Sequence, residues 1–157
     1  MEEDKLKQKK ISTETAVEIF FFLFLLMFYL MWARVQPMGA GPDEQMRYQI
    51  AEYIYQNGTL PVGDDPAVRN IVWGISYAFS PILDYMIAAV FMKAMSFVTT
   101  APFALLLAAR FVNILLGLGT VWLALDMGKR LFDRRKAWIF ASFVGLLPGS
   151  LFVFTYV

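Results

Sequence analysis

Long apolar runs separated by short charged segments organise the chain. The first run, 16–35, carries charges only near its ends, at Glu18 and Arg34. About 20 apolar residues in a helix cross a hydrocarbon layer of ~30 Å, so this run predicts a membrane-spanning helix. Further apolar runs follow at 81–98, 102–127 and 137–157. The pattern predicts an all-α integral membrane protein, because a helix satisfies its own backbone hydrogen bonds in lipid.

Basic residues predict the topology. Four lysines within residues 1–10 precede the first run, and five lysines and arginines lie within 129–136. The positive-inside rule places both segments in the cytoplasm, so an even number of spans must separate them. We therefore expect the run 81–98 to lie along or dip into the outer interface instead of crossing.

The expected architecture has three transmembrane helices, with four as the alternative. Its parts are a cytoplasmic tail at 1–15, spans at 16–35, 102–128 and 137–157, an external loop at 36–101 and a cytoplasmic loop at 129–136. Two amphipathic juxtamembrane helices, about 43–57 and 81–98, are expected within the external loop. The chain is thus predicted to be a multi-pass protein of the plasma membrane with a cytoplasmic N-terminus.

The amino-acid composition limits the partners and the catalytic groups that the chain can have. Hydrophobic residues make up 59% of the chain, which is typical of a membrane protein, and the net charge of +1 argues against a nucleic-acid partner. There is no cysteine and no histidine. Thiol and imidazole catalysis are therefore excluded, and proton transfer must fall to carboxylates.

An acidic pair begins the external loop. Asp43 and Glu44 follow a turn at 39–42, where the N-terminal end of a helix favours carboxylates as caps and as first-turn residues. An apolar stripe at helical spacing continues through Met46, Ile50, Tyr53 and Ile54. Gly58 is expected to end this helix, which faces the bilayer or the protein body.

Several short motifs follow one another along the chain: Asp43-Glu44, Tyr53 and Tyr55, Gly58-Thr59-Leu60-Pro61, Ser80-Pro81-Ile82-Leu83-Asp84-Tyr85, Ala109-Arg110-Phe111 and Gly128-Lys129-Arg130-Leu131-Phe132. In this order they resemble the N-terminal part of GT-C glycosyltransferases, most of all the protein-mannosyltransferase and aminoarabinose-transferase branch. Two positions depart from the family pattern. Arg47 stands where the family often has histidine, and Ser80-Pro81 stands where it has a double proline.

The resemblance implies a function. It implies an inverting hexosyl- or pentosyltransferase that moves a sugar from a polyprenyl-phosphate donor to a glycan, lipid or protein acceptor at the outer membrane face. Asp43 matches the family's catalytic aspartate. The family's second acidic motif follows the third span, so the chain is expected to be the front module of a longer enzyme, or to be completed by a partner chain.

Roles for the other polar residues follow from the chemistry of sugar transfer. Asp43 would act as general base, and Glu44 would orient Asp43 or bind the acceptor. The candidates for contact with the substrate or its phosphate are Arg47, Arg69, Asp84 and Arg110. A divalent cation could serve instead, and the cofactor is not identified by the sequence.

Each assignment has a structural alternative. Acids in a first helical turn are common for dipole reasons alone. Arg110 could extend to the lipid headgroups, Asp84 could be the wet side of its helix, and Asp64-Asp65 could form a solvated turn or a metal site. A non-catalytic membrane scaffold or partner subunit is therefore the second function class. A transporter is the third, although deep polar residues are scarce.

Overall fold

The computed structural model describes residues 12–62, 64–80 and 82–157, and these residues contain helices and no strands. The all-α prediction is therefore confirmed for this part of the chain. Its α-helices are α1 Thr13–Val35, α2 Glu44–Asn57, α3 Leu83–Ser96, α4 Pro102–Leu131, α5 Arg134–Leu146 and α6 Pro148–Phe154. A short 3-10 helix, Tyr77–Phe79, precedes α3. Residues 1–11, which carry the N-terminal lysines, lie outside the described residues, as do residues 63 and 81.

Two helices are long and apolar enough to cross a membrane. They are α1, with 23 residues, and α4, with 30 residues. At 1.5 Å per residue they rise about 34 Å and about 45 Å, which exceeds a hydrocarbon thickness of ~30 Å. The pair α5 and α6 adds a third span if it is counted as one broken helix. The 14 residues of α3 rise only about 21 Å.

The third apolar run differs from the single helix predicted for 137–157. It bends by 60° between α5 and α6. Leu147 has extended backbone (φ −57°, ψ 136°) because the ring of Pro148 disfavours helical geometry in the residue before it. Pro148 then begins α6, where its missing N–H leaves no bond unmade.

The segment 129–136, predicted to be a cytoplasmic loop between two spans, is mostly helical in the structure. The helix α4 continues to Leu131, and α5 begins at Arg134. The Asp133 carboxylate accepts a hydrogen bond from Lys136 N at 3.0 Å and so caps α5. Only residues 132 and 133 separate the two helices.

Ion pairs join the beginning of α1 to the region between α4 and α5. Lys129 pairs with Glu18, and Arg134 Nε lies 3.3 Å from Glu14 Oε1. The start of α1 and the basic segment 129–136 therefore lie at the same end of the helix bundle. The opposite end carries the acidic pair and the loop between α1 and α2.

The helices bury two apolar clusters, one near each end of α4. One cluster contains residues of α2, α3 and the first half of α4, including Ile50, Met92 and Ala109. The other joins α1, the second half of α4, α5 and α6. Glycines allow close helix packing there: a Cβ built on Gly117 would lie 2.7 Å from Phe154 Cβ.

Candidate functional site

Glu44 and Arg110 form an ion pair inside the protein, and neither side chain is exposed. Arg110 Nε donates to Glu44 Oε1 at 2.8 Å, and Arg110 Nη2 donates to Glu44 Oε2 at 3.0 Å. The other guanidinium hydrogens go to backbone carbonyls: Nη1 donates to Ala33 and Gln36, and Nη2 to Pro37. All five N–H groups of Arg110 are therefore bonded to protein.

Through Arg110, this ion pair caps the C-terminal end of α1. The last carbonyls of a helix have no partner within the helix and carry partial negative charge, which a guanidinium satisfies. On the other side, Glu44 Oε2 accepts a hydrogen bond from Gly39 N at 2.9 Å. The pair thus holds the turn between α1 and α2 against α4. Arg110 neither extends to the headgroups nor keeps a donor free for phosphate in this geometry.

Asp43 adopts a backbone conformation that L-residues rarely use. Its φ of 61° is the one positive value at a non-glycine position within the described ranges. Such a residue stores about 1–3 kcal/mol of strain, and these outliers are concentrated at functional sites. The side chain does not cap α2, contrary to the prediction. The exposed carboxylate instead accepts a hydrogen bond from Tyr77 Oη, at 2.6 Å from Oδ2.

Arg47 and Asp84 lie beside this hydrogen bond. The Arg47 guanidinium carbon is 4.8 Å from the centre of the Tyr77 ring, within the range of a cation–π contact. Arg47 Nε and Asp84 Oδ1 are both buried and have no hydrogen-bond partner among the described residues. Buried polar atoms in native proteins are nearly always hydrogen-bonded to protein or to water, so these two atoms have capacity for a further hydrogen bond. We call Asp43, Arg47, Tyr77 and Asp84 the polar cluster.

The electrostatics of the polar cluster are mixed. The hydrogen bond to Asp43 raises the pKa of Tyr77, because the carboxylate favours the protonated phenol, and Arg47 opposes this shift. Burial raises the pKa of Asp84, and Arg47 again opposes the shift. Asp84 is therefore easier to protonate than an aspartate in water.

Arg69 lies in a different environment. It is exposed, and its Nε donates to Gly74 O at 3.2 Å within its own loop. No hydrogen bond or ion pair links it to the polar cluster in the described part of the chain. Its predicted contact with substrate stays a prediction.

The paired aspartates at 64–65 form a turn in the structure. Asp65 Oδ1 accepts a hydrogen bond from Ala67 N at 2.9 Å, which is a local turn geometry. Within residues 12–62, 64–80 and 82–157, no three acidic side chains come together in an arrangement that could hold a metal ion.

An apolar groove of about 550 Å³ runs between the end of α1, the first turns of α2 and the start of α4. Arg34 and Glu52 supply charges at its wall, while Pro37, Tyr48 and Phe103 supply apolar surface. Burial raises the pKa of Tyr48 to about 12. The groove lies beside the segment 36–38 that follows α1, and it shares residues with the end of α1 and the start of α4.

Tyr77 is the site residue that sequence reasoning missed. It begins the 3-10 helix between α2 and α3, in a part of the sequence that has no periodicity from which a contact could be inferred. Its partner Asp43 is 34 positions away in the chain. The pairing of Glu44 with Arg110 was also missed, although both residues were candidates, because the two are 66 positions apart.

Comparisons with protein-family models, curated proteins and solved structures find no match to this chain.

Proposed function

We propose that this chain is part of a membrane glycosyltransferase that moves a sugar from a polyprenyl-phosphate donor to an acceptor at the outer membrane face. In this proposal α1, α4 and the α5–α6 pair cross the plasma membrane, and the N-terminus is cytoplasmic. The helices α2 and α3 lie along the outer surface. The likeness to GT-C enzymes is part of the proposal and rests on the short motifs of the sequence.

The conformation of Asp43 carries the proposal. A carboxylate at this position would normally cap the helix that it begins, and this one does not. Its backbone is strained, and its side chain is exposed and oriented by Tyr77. A carboxylate that is exposed and oriented by a hydrogen bond is available to act as general base for an acceptor hydroxyl, and strained backbone is concentrated at functional sites.

Arg47 supplies the second element. Sugar transfer leaves developing negative charge on the donor phosphate, which a cation next to the base would stabilise. The guanidinium of Arg47 stacks on Tyr77, the same residue that holds Asp43. Among the described residues its Nε has no hydrogen-bond partner, so Arg47 is the cation of the polar cluster that we assign to the phosphate.

The groove beside the α1–α2 turn supports a lipid-linked donor. Its walls are largely apolar, and its volume of about 550 Å³ is within the range of ligand sites. In this proposal the groove holds the isoprenoid tail, although none of the four residues of the polar cluster lines it. Arg34, at the end of α1, adds a positive charge at the boundary.

Glu44 and Arg110 act in this proposal as positioning residues. Each is fully buried and satisfied by the other and by the backbone. Together they fix the turn from which Asp43 projects. The same observation favours a second candidate, a non-catalytic scaffold, in which the buried pair serves only to hold the helices together.

Transfer of radiolabelled mannose or arabinose from polyprenyl phosphate, measured in membranes containing the full-length protein, tests the proposal. Asp43→Asn is the informative variant, because asparagine tolerates a positive φ and can still accept a hydrogen bond from Tyr77. We expect a loss of about 10²–10⁴-fold, the usual contribution of a general base. Asp64→Asn is the matched control and should retain transfer.

Retained transfer in a folded Asp43→Asn protein would remove Asp43 from the mechanism. The scaffold would be favoured by two results together. The unmodified protein would transfer neither sugar, and the Asp43→Asn variant would still assemble with its membrane partners. These two outcomes separate the two candidates.

A further inference from the structure

The loop 70–75, between α2 and α3, is closed by its own hydrogen bonds. Asn70 N donates to Ile75 O at 2.9 Å, and Gly74 N donates to Asn70 O at 2.8 Å. The Asn70 side chain also accepts bonds from Val72 N and Trp73 N, at 2.9 and 3.0 Å. Gly74 has a φ of 67°, which glycine adopts without strain. The tip is therefore held in one shape.

The tip of this loop presents three large apolar side chains to the surroundings. Ile71, Val72 and Trp73 are 95%, 86% and 74% exposed. Three such consecutive residues on a rigid loop form an apolar surface that water solvates poorly.

The base of the loop lies close to the end of a membrane-spanning helix. Asn70 Nδ2 donates to Met46 Sδ at 3.4 Å. Met46 is in the first turn of α2, two residues after Glu44, which is joined through Arg110 to Ala33 in the last turn of α1. The base of the loop is therefore linked to the end of α1 through the first turn of α2 and Arg110.

The residue types fit a lipid surface. Tryptophan is enriched at the membrane–water interface, where its ring sits at the level of the headgroups. Arg69 immediately precedes the loop and is exposed, with Nε bonded to Gly74 O. A cation beside an apolar tip complements the phosphate groups of lipids, which lie above the acyl chains.

We propose that the loop 70–75 inserts Ile71, Val72 and Trp73 into the membrane leaflet next to the α1–α2 turn, with Arg69 at the phosphate level. Insertion fixes the stretch between α2 and α3 relative to the bilayer. This inference depends on α1 and α4 crossing the membrane and not on the chemistry of Asp43.

Fluorescence quenching in lipid nanodiscs tests the insertion. The protein has four tryptophans, and replacing Trp32, Trp122 and Trp138 by phenylalanine leaves Trp73 as the only emitter. We expect brominated phosphatidylcholine to quench Trp73 as strongly as it quenches a variant that keeps only Trp32, near the end of α1. Acrylamide in the water should quench Trp73 weakly.

The opposite pattern, with strong quenching by acrylamide and none by brominated lipid, would overturn the insertion. Weak quenching by both would place Trp73 against protein and would overturn it equally. Because the chain has no cysteine, a second measurement needs only one substitution. Val72→Cys should react several-fold more slowly with a water-soluble maleimide in vesicles than Asp64→Cys, and equal rates would contradict the proposal.

Discussion

Arg110 and Glu44, 66 positions apart in the chain, meet through two hydrogen bonds of 2.8 and 3.0 Å at a point from which water is excluded. This contact joins α4 to the start of α2, and the carbonyl bonds of Arg110 extend it to the end of α1. The guanidinium of Arg110 therefore connects α1, α2 and α4. Asp43 precedes Glu44 directly, so the geometry of the exposed carboxylate depends on the buried pair.

The buried pair should dominate local stability. Removing one member leaves an uncompensated charge inside the protein, which costs about 3–5 kcal/mol. We expect Arg110→Met and Glu44→Leu each to lower the free energy of unfolding in detergent by that amount. The double variant should recover part of the loss, because it leaves no isolated charge. Arg135→Ala, at an exposed position, is the control. If the Arg110 and Glu44 variants lose no more stability than this control, the buried pair contributes little.

The left-handed backbone conformation of Asp43 should lower the stability of the folded protein. Asp43→Gly and Asp43→Ala both remove the bond to Tyr77, but only glycine accepts a φ of 61° without strain. The glycine variant is expected to be more stable than the alanine variant by about 1 kcal/mol. Thermal unfolding in detergent compares the two. Equal stabilities would show that the left-handed conformation is absent.

A pair of glycines in α4 tests the helix packing. A Cβ at Gly117 would overlap Phe154 of α6, whereas a Cβ at Gly119 has no atom within 4 Å. Gly117→Ala should destabilise by about 1–3 kcal/mol through overpacking. Gly119→Ala should stabilise by up to about 1 kcal/mol through helix propensity. Similar melting temperatures for the two variants would contradict the contact between α4 and α6.

The raised pKa of Asp84 predicts a pH dependence. A carboxyl group whose pKa is higher in the folded protein binds more protons when folded, so its contribution to stability is present below the unfolded pKa and is lost as pH rises through the folded pKa. Its ordinary value is 3.8. Asp84→Asn should therefore gain stability over the unmodified protein as pH rises from about 3.8 to neutrality. A pH-independent difference in unfolding free energy would contradict this.

Much of the helix content could be predicted from the sequence, because apolar length and helix-ending residues are local signals. The runs at 16–35 and 102–127 predicted α1 and α4, and Gly58 does end α2, with φ 68°. The break at Leu147 was also readable, since proline disfavours helix in the residue before it. The run was nevertheless interpreted as one span because its hydropathy continues through Pro148.

The contacts of the candidate site could not be predicted. Glu44 and Arg110 both stood out as charges near apolar sequence, but no spacing rule relates residues on different helices. No sequence pattern pointed to Tyr77, because the segment between α2 and α3 shows no periodicity. The left-handed φ of Asp43 could not be predicted either, because aspartate before a helix ordinarily acts as a cap. Here its carboxylate is bonded to Tyr77 instead.

The proposal depends on Asp43 facing the side of the membrane opposite the basic segment 129–136. Single cysteines in this cysteine-free chain measure that placement directly, with a membrane-impermeant maleimide applied to intact cells. We expect Asp43→Cys to be labelled from outside and Arg135→Cys to be labelled only after permeabilisation. Labelling of position 43 from the cytosolic side alone would contradict the proposed site of sugar transfer.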